Sequence, residues 1–494
     1  MKGTRIVGGI AIAGLVSALA IPMLTGQTRS AADPMSDGAQ NVRRVGYNDL
    51  QGRESLVVTT KSDPANGSWV YVGHHESYWD DKPKLNPITG RMEWNGTSIL
   101  DIADPSKPKL VWHIPNDSNR NSRGVSVVYD YAFDGSGHDY LIRNSEALTE
   151  GETGTDLKFQ IFDITSRTSD PSKIALVSEI TGTPPNSCGQ GCGGRFIQRA
   201  HKGWWSQETG YFYSAAGEPG FRNVVIQIFD LKNPKTPKFV GRMWIPGQKN
   251  DEPQNLYEGQ YAHHPIVDED NKRLYVGYRN AGQAAAFDIS NPAQPKLVWE
   301  IDMNPPHRGP HTVSPIVYNQ VPNFGKAALP RTYAFIVDEA GGAADMKPCP
   351  GGVRSGTYML DITNETKPFP VSVWQVPVGN FCDKGGRFGP HQSAETVNGR
   401  INRFEDKIAW LAYFNAGVRV VDLSNPYAIK ELGYYVPKTN KNSHPISKGQ
   451  PTVVQLNDVD IDHRGLVYAS DRVGTGLFVL EYTGAKPARQ STSQ

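Results

Sequence analysis

Cysteine is scarce in this chain: Cys188, Cys192, Cys349 and Cys382 are the only four in 494 residues. So few exclude a fold built on disulfides in place of a core, and no Cys-x-x-Cys-His pattern exists for covalent haem attachment. Charge of one sign is also lacking. Lys plus Arg number 51 and Asp plus Glu 50, a formal net charge of +1, which gives no electrostatic footprint for nucleic acid. Beyond residue 24 no run is apolar enough to span a membrane, and no long stretch carries a helical hydrophobic period. The chain has no phosphate-cradling glycine loop and no Ser-His-Asp spacing.

What is present begins with a targeting segment. Lys2 and Arg5 precede an apolar stretch from Ile6 to Leu24, then small residues at Ala31-Ala32. Residues 1–32 read as an export signal cleaved near Ala31 or Ala32, with an uncleaved membrane anchor as the alternative, since the apolar stretch is long. The expected location is periplasmic or secreted, and membrane contact is expected only if the segment stays uncleaved. Export implies an oxidising compartment. Four cysteines allow three connectivities; the expected bridges are Cys188–Cys192 and Cys349–Cys382, with a soft-metal thiolate site as the rival reading.

The 50 glycines and 36 prolines fall between short apolar runs, the distribution of a turn-rich all-β protein. One phrase recurs: an apolar strand ending in Asp, a Pro-containing turn, and a second apolar strand. It stands at Ile99-Leu100-Asp101-Ile102-Ala103-Asp104-Pro105, at Ile228-Phe229-Asp230-Leu231-Lys232-Asn233-Pro234 and at Ala286-Phe287-Asp288-Ile289-Ser290-Asn291-Pro292. Weaker copies stand at Asp163, Asp361 and Asp422, and a degenerate one at Val479-Leu480-Glu481. The aspartates are read as turn residues that accept from nearby backbone N–H groups, without chemistry of their own.

Upstream of each phrase lie two more strand patterns, so each repeat is a four-stranded antiparallel unit. A sheet that cannot bury both faces alone is stabilised by radial stacking. The expectation is an all-β, seven-bladed β-propeller spanning residues 42–482, followed by a polar tail at 483–494. Arg43-Arg44-Val45-Gly46-Tyr47 is like the fourth strand Glu431-Leu432-Gly433-Tyr434-Tyr435, and the last repeat ends after its third strand, so the N-terminal strand is expected to close the last blade. The phrase resembles the LVIVD repeat of exported bacterial propeller proteins. That resemblance implies the fold and little about function, because one fold hosts many activities.

The blade register sorts the histidines. Arg199-Ala200-His201-Lys202, Tyr261-Ala262-His263-His264, Gly309-Pro310-His311-Thr312 and Gly389-Pro390-His391-Gln392 all open a first strand, with Asn457-Asp458 at the same place in the last repeat and Glu54 and Arg123 near it in the first two. The candidate metal ligands are His201, His263, His264, His311 and His391. Counting back from the second strand favours His264, whereas the preceding Ala favours His263. Converging neutral imidazoles suit one transition metal ion, copper or iron ahead of zinc; the alternative is that the histidines are repeat-derived framework.

Glu339 and Asp458 are the candidate catalytic carboxylates, and Arg279, Trp79 and His74 the candidate substrate-binding groups. The expected partner is a small-molecule substrate rather than nucleic acid. Carotenoid-cleaving oxygenases and methanethiol oxidases of the selenium-binding type are propellers with histidine-held iron and copper, an analogy of architecture that places an oxidoreductase ahead of a hydrolase. The alternative is a non-catalytic scaffold that binds a protein, glycan or surface.

Overall fold

The computed structural model describes residues 33–75, 82–118, 120–147, 158–181, 198–253, 260–304, 309–321, 330–339 and 355–487. The segment 1–32, Trp79, Cys188, Cys192 and Cys349 lie outside them. Met35–Gln494 is one compact unit. Apart from short 3-10 turns, every described regular element is a strand.

Each repeat forms an antiparallel sheet in chain order. The unit carrying His263 runs Ala262–Asp268, Arg273–Tyr278, Gln283–Asp288, Lys296–Asp302. The units led by Ser55–Asp63, Val125–Val128, Gln198–Trp205 and Pro310–Tyr318 have the same order. A larger sheet holds the last two repeats, led by Phe388–Ser393 and Leu456–Ile461. The N-terminal strand Val42–Asn48 pairs with Leu477–Tyr482, Val42 opposite Tyr482. Ser36–Gln40 adds a further strand beside Lys430–Pro437, which the repeat pattern does not foretell. The first strand of each unit touches that of the next, and Leu456–Ile461 touches Ser55–Asp63. First strands therefore surround a common axis.

The recurring phrase is a turn and a latch. Asp101, Asp163, Asp230, Asp288, Asp361 and Asp422 each accept a hydrogen bond from the backbone N–H two residues on, the Asx-turn geometry that aspartate supplies. The proline carbonyl that follows meets the outer strand of the preceding unit. Gly46 and Gly241 leave no room for a Cβ against the carbonyls of Pro105 and Pro292. Ser178 and Ser372 instead donate to the carbonyls of Pro234 and Pro426 at 2.5 and 2.6 Å. In these four copies the turn docks one sheet on the next.

Six first strands share a second device. The ladder slips between Ser55 and Val57, between Ala200 and Gly203, between Ala262 and Pro265, between Pro310 and Thr312, between Phe388 and Gln392, and between Leu456 and Asp458. An extra residue in one strand re-aims its side chain. The candidate histidines sit on these bulges.

Candidate functional site

Four histidines form a row at the end of the axis where first strands begin. Ring centroids are 4.4 Å apart for His201 and His263, 4.1 Å for His263 and His311, and 4.5 Å for His311 and His391. All four are buried. Burial, the largest influence on each, pushes all four imidazoles below their ordinary range, so they are neutral at pH 7.

Hydrogen bonds assign the ring nitrogens. His201 Nδ1 lies 3.2 Å from Glu146 Oε2, and His391 Nδ1 meets the carbonyl oxygen of Asn457. A carboxylate and a carbonyl only accept, so both Nδ1 atoms carry the proton and both Nε2 atoms present a lone pair. His201 Nε2 faces His263 Nε2 at 3.1 Å. Among the described residues, His311 Nε2 and His263 Nδ1 have no hydrogen-bond partner. Buried polar atoms are normally satisfied, so an orphaned imidazole nitrogen in this row fits a cation. Nitrogens tetrahedrally bound at about 2.0–2.1 Å stand about 3.3 Å apart, close to the separation of His201 and His263.

Glu339 joins the row. One ligand atom each from His263, His311 and Glu339 lie within 4.8 Å of one another. The Glu339 carboxylate is 3.5 Å from His263 Nε2 and 3.9 Å from His391 Nε2, and it pairs with Arg279 Nε and an Arg387 terminal nitrogen, each at 2.6 Å. Burial pushes its carboxyl up, but the Arg279 and Arg387 guanidiniums outweigh that and hold it well below the usual range. A carboxylate so depressed is a weak proton acceptor; the surroundings suit a ligand or a fixed negative charge better than the general base expected of Glu339. Phe414 packs on His391 at 5.2 Å under the Arg387 guanidinium at 4.3 Å, with φ at 39°. A bulky residue held in the left-handed region is strained, and such strain clusters at functional sites. Tyr261 stands 5.9 Å from the His201 ring and 6.0 Å from the His263 ring.

The structure separates His263 from His264. His264 turns to Glu395, with Nδ1 2.6 Å from Oε1, and takes no place in the row. The bulge spans both residues, which is why counting from either side reached a different one. Asp458 lies in the same inner region. Its Oδ2 accepts from the Val58 N–H at 2.8 Å and its Oδ1 from Gln392 Nε2, and Gln392 Oε1 accepts from the buried Lys202 ammonium at 2.7 Å. Burial pushes the Asp458 carboxyl well up. It joins the last repeat to the first.

His74 departs from its expected substrate contact. It is fully buried, with Nδ1 3.0 Å from the Glu54 carbonyl and Nε2 2.8 Å from Ser98 Oγ. Burial pushes it down to about 3, so it is a satisfied neutral framework residue. Arg279 is the partly open group, its side chain 23% exposed beside Glu339. Trp79 lies outside the described residues. Cys382 is disulfide-bonded, and its expected partner Cys349 lies outside them too.

Glu146, Thr312, Arg387 and Glu395 escaped the sequence reading. Thr312 directly follows a row histidine, as do Lys202 and Gln392, so the register contained that much. Glu395 meets its partners only across 83 and 131 residues of chain. A cavity of about 1660 Å³ lies on the opposite face, lined by Asp268, Arg273, Glu365, Arg403 and Arg464. These charges pair with one another or with neighbours, and the row has no part in it.

No curated protein sequence matches this chain. The LVIVD repeat family matches residues 92–114 and 274–302. Among solved structures, the chain is similar to a hypothetical selenium-binding protein from Sulfolobus tokodaii, at 12% identity over 87% of this chain and 92% of that one, with a TM-score of 0.50. It is also similar to a periplasmic gluconolactonase from Pseudomonas aeruginosa, at 12% identity over 80% of this chain and 96% of that one, with a TM-score of 0.43. At such identity these likenesses concern the fold alone. The chain carries LVIVD repeats on an all-β, propeller-like fold.

Proposed function

We propose that the protein is an exported, seven-bladed propeller closed by Val42–Asn48, and that it is a metal-dependent oxidoreductase of a small molecule. One transition metal ion is held by His201, His263, His311 and His391, with Glu339 beside them. The observation that carries this reading is the row itself. Two imidazoles have committed their Nδ1 protons elsewhere, and the Nε2 of a third is buried without a partner among the described residues. Lone pairs gathered this closely repel unless a cation or a shared proton lies between them.

Four imidazoles would fill a tetrahedral zinc ion, whereas catalytic zinc keeps one position open. Copper or iron accepts further ligands on the same nitrogens, which favours redox chemistry. When bound, such an ion supplies electron transfer to and from a coordinated substrate. The protein orients four neutral donors on bulged strands. Arg279 and Arg387 fix Glu339 as a negative charge that balances part of the cation, and partly exposed Arg279 is the group available to an incoming anionic substrate. The first-strand contact between Leu456–Ile461 and Ser55–Asp63, with the pairing of Val42–Asn48, supports the closed seven-bladed arrangement.

Elemental analysis of protein purified without chelator is the test. About one copper or iron per chain is expected, and a His311→Ala/His391→Ala variant should lose it. A wild-type protein free of transition metal after supplementation with both ions would overturn the metal reading.

A further inference from the structure

We infer that Glu395 is a positioning residue for His311, acting through the Thr312 hydroxyl and held in place by His264. The inference rests on the metal reading for its consequence, and on hydrogen-bond accounting for its existence.

His311 Nδ1 lies 3.0 Å from Thr312 Oγ1, and Thr312 Oγ1 donates to Glu395 Oε1 at 3.1 Å. A hydroxyl has one hydrogen, and a carboxylate offers none. The Thr312 hydrogen is used on Glu395, so its oxygen accepts from His311, and His311 carries its proton on Nδ1. The nitrogen left bare is Nε2, the buried atom without a described partner, facing the row between His263 and His391.

Glu395 stays a carboxylate through its surroundings. His264 Nδ1 lies 2.6 Å away. Burial pushes the carboxyl up, and His264 and the buried Lys202 ammonium outweigh it. His264 therefore has a function distinct from its neighbour: His263 stands in the row, and His264 holds the carboxylate that orients His311. All four members of the chain are buried, so water does not substitute for a missing partner. A carboxylate that fixes a ligand imidazole through its other nitrogen is worth about ten- to a hundredfold in metal affinity. Here a threonine hydroxyl relays the effect.

The test uses the full chain and three variants, Thr312→Val, Thr312→Ser and Glu395→Gln. Imidazole 15N spectra of metal-free protein, with the His311 signals assigned by a His311→Gln variant, report the tautomer directly. Wild type and Thr312→Ser should show His311 protonated on Nδ1, and Thr312→Val should lose that preference. Copper(II) titration should show affinity about ten- to a hundredfold weaker for Thr312→Val and Glu395→Gln, with an altered electron paramagnetic resonance spectrum, and Thr312→Ser should restore both.

A Thr312→Val protein with wild-type tautomer and wild-type copper affinity would overturn the inference. If Thr312→Val does not fold, Glu395→Gln against wild type decides by the same two readouts. Failure of the metal reading looks different: wild type would bind no copper, while the tautomer of His311 would still follow Thr312.

Discussion

The Nε2 atoms of His201 and His263 face each other at 3.1 Å. Because Glu146 takes the Nδ1 proton of His201, only His263 can put a hydrogen between them. His263 is also the row member whose Nδ1 lacks a partner among the described residues, so no hydrogen bond to that nitrogen fixes its tautomer. With no cation bound, His263 donates to His201; with a cation on Nε2, its hydrogen moves to the bare Nδ1. Metal uptake should therefore release no proton near pH 7, because the row is already neutral and the His263 hydrogen only changes nitrogen. Copper(II) added to weakly buffered protein with a pH indicator measures this.

The adjacent pair His263-His264 should respond unequally to substitution. His263→Ala removes a row member and should abolish stoichiometric metal binding. His264→Ala leaves the row whole and loosens Glu395, so metal should still bind, about ten- to a hundredfold more weakly. Equilibrium dialysis of both variants against copper(II) separates the cases. Equal loss in both would mean that His264 also serves as a ligand.

The contrast between these neighbours marks how far the sequence was readable. Six aspartates were readable as turn residues because their hydrogen bonds are local, to the N–H two residues on. The convergence of His201, His311 and His391 was readable because a repeat fixes register. The choice between His263 and His264 was not, because a bulge breaks the strict alternation on which register counting depends. Glu339 stands in a loop, which suggests a base; Arg279 and Arg387, on other segments of the chain, hold its carboxyl low. The burial of His74 was not readable, because its hydrogen-bond partner Ser98 lies on another strand.

The latch between sheets predicts two different stability costs. A Cβ at Gly241 would run into the Pro292 carbonyl oxygen, a backbone atom that cannot swing away. Gly241→Ala should cost about 1–3 kcal/mol as overpacking. Ser178→Ala removes only a hydrogen bond to the Pro234 carbonyl and should cost about 0.5–1.5 kcal/mol. Urea unfolding of both variants, compared at the midpoint with the slope unchanged, measures the difference.

His444 gives the protein a stability term on the alkaline side. Its Nε2 lies 2.8 Å from Glu54 Oε1, with its side chain 23% exposed. Burial lowers its affinity for protons, and the Glu54 carboxylate outweighs this and raises His444 above its ordinary range. A raised folded value means the contribution is fully present below pH 6.5 and is lost as pH rises through the folded value. Glu54, raised chiefly by burial, acts in the same direction at lower pH. Wild type should lose stability from pH 6.5 upward, and His444→Gln should show a flatter curve there. Denaturant midpoints from pH 5 to 9 test this.

Glu339 should govern the acid side of the metal-free protein. Its carboxyl is held well below 4.5 by Arg279 and Arg387 against the pull of burial, so its folded value lies under its unfolded one. That sign gives stability present above about pH 4.5, lost as pH falls through the folded value. Glu339→Gln should flatten the acid limb, and it should lower stability at pH 7 because Arg387, 7% exposed, is left as a buried charge. Removing one member of a buried pair costs about 3–5 kcal/mol. Arg387→Met should show a loss of that order at pH 7, and Arg279→Met less, because Arg279 is 23% exposed and water screens the charge it leaves behind. Urea unfolding at pH 7 and pH 4 orders the three variants. If Arg279→Met proved the costlier arginine change, Arg387 would not be the anchor of Glu339.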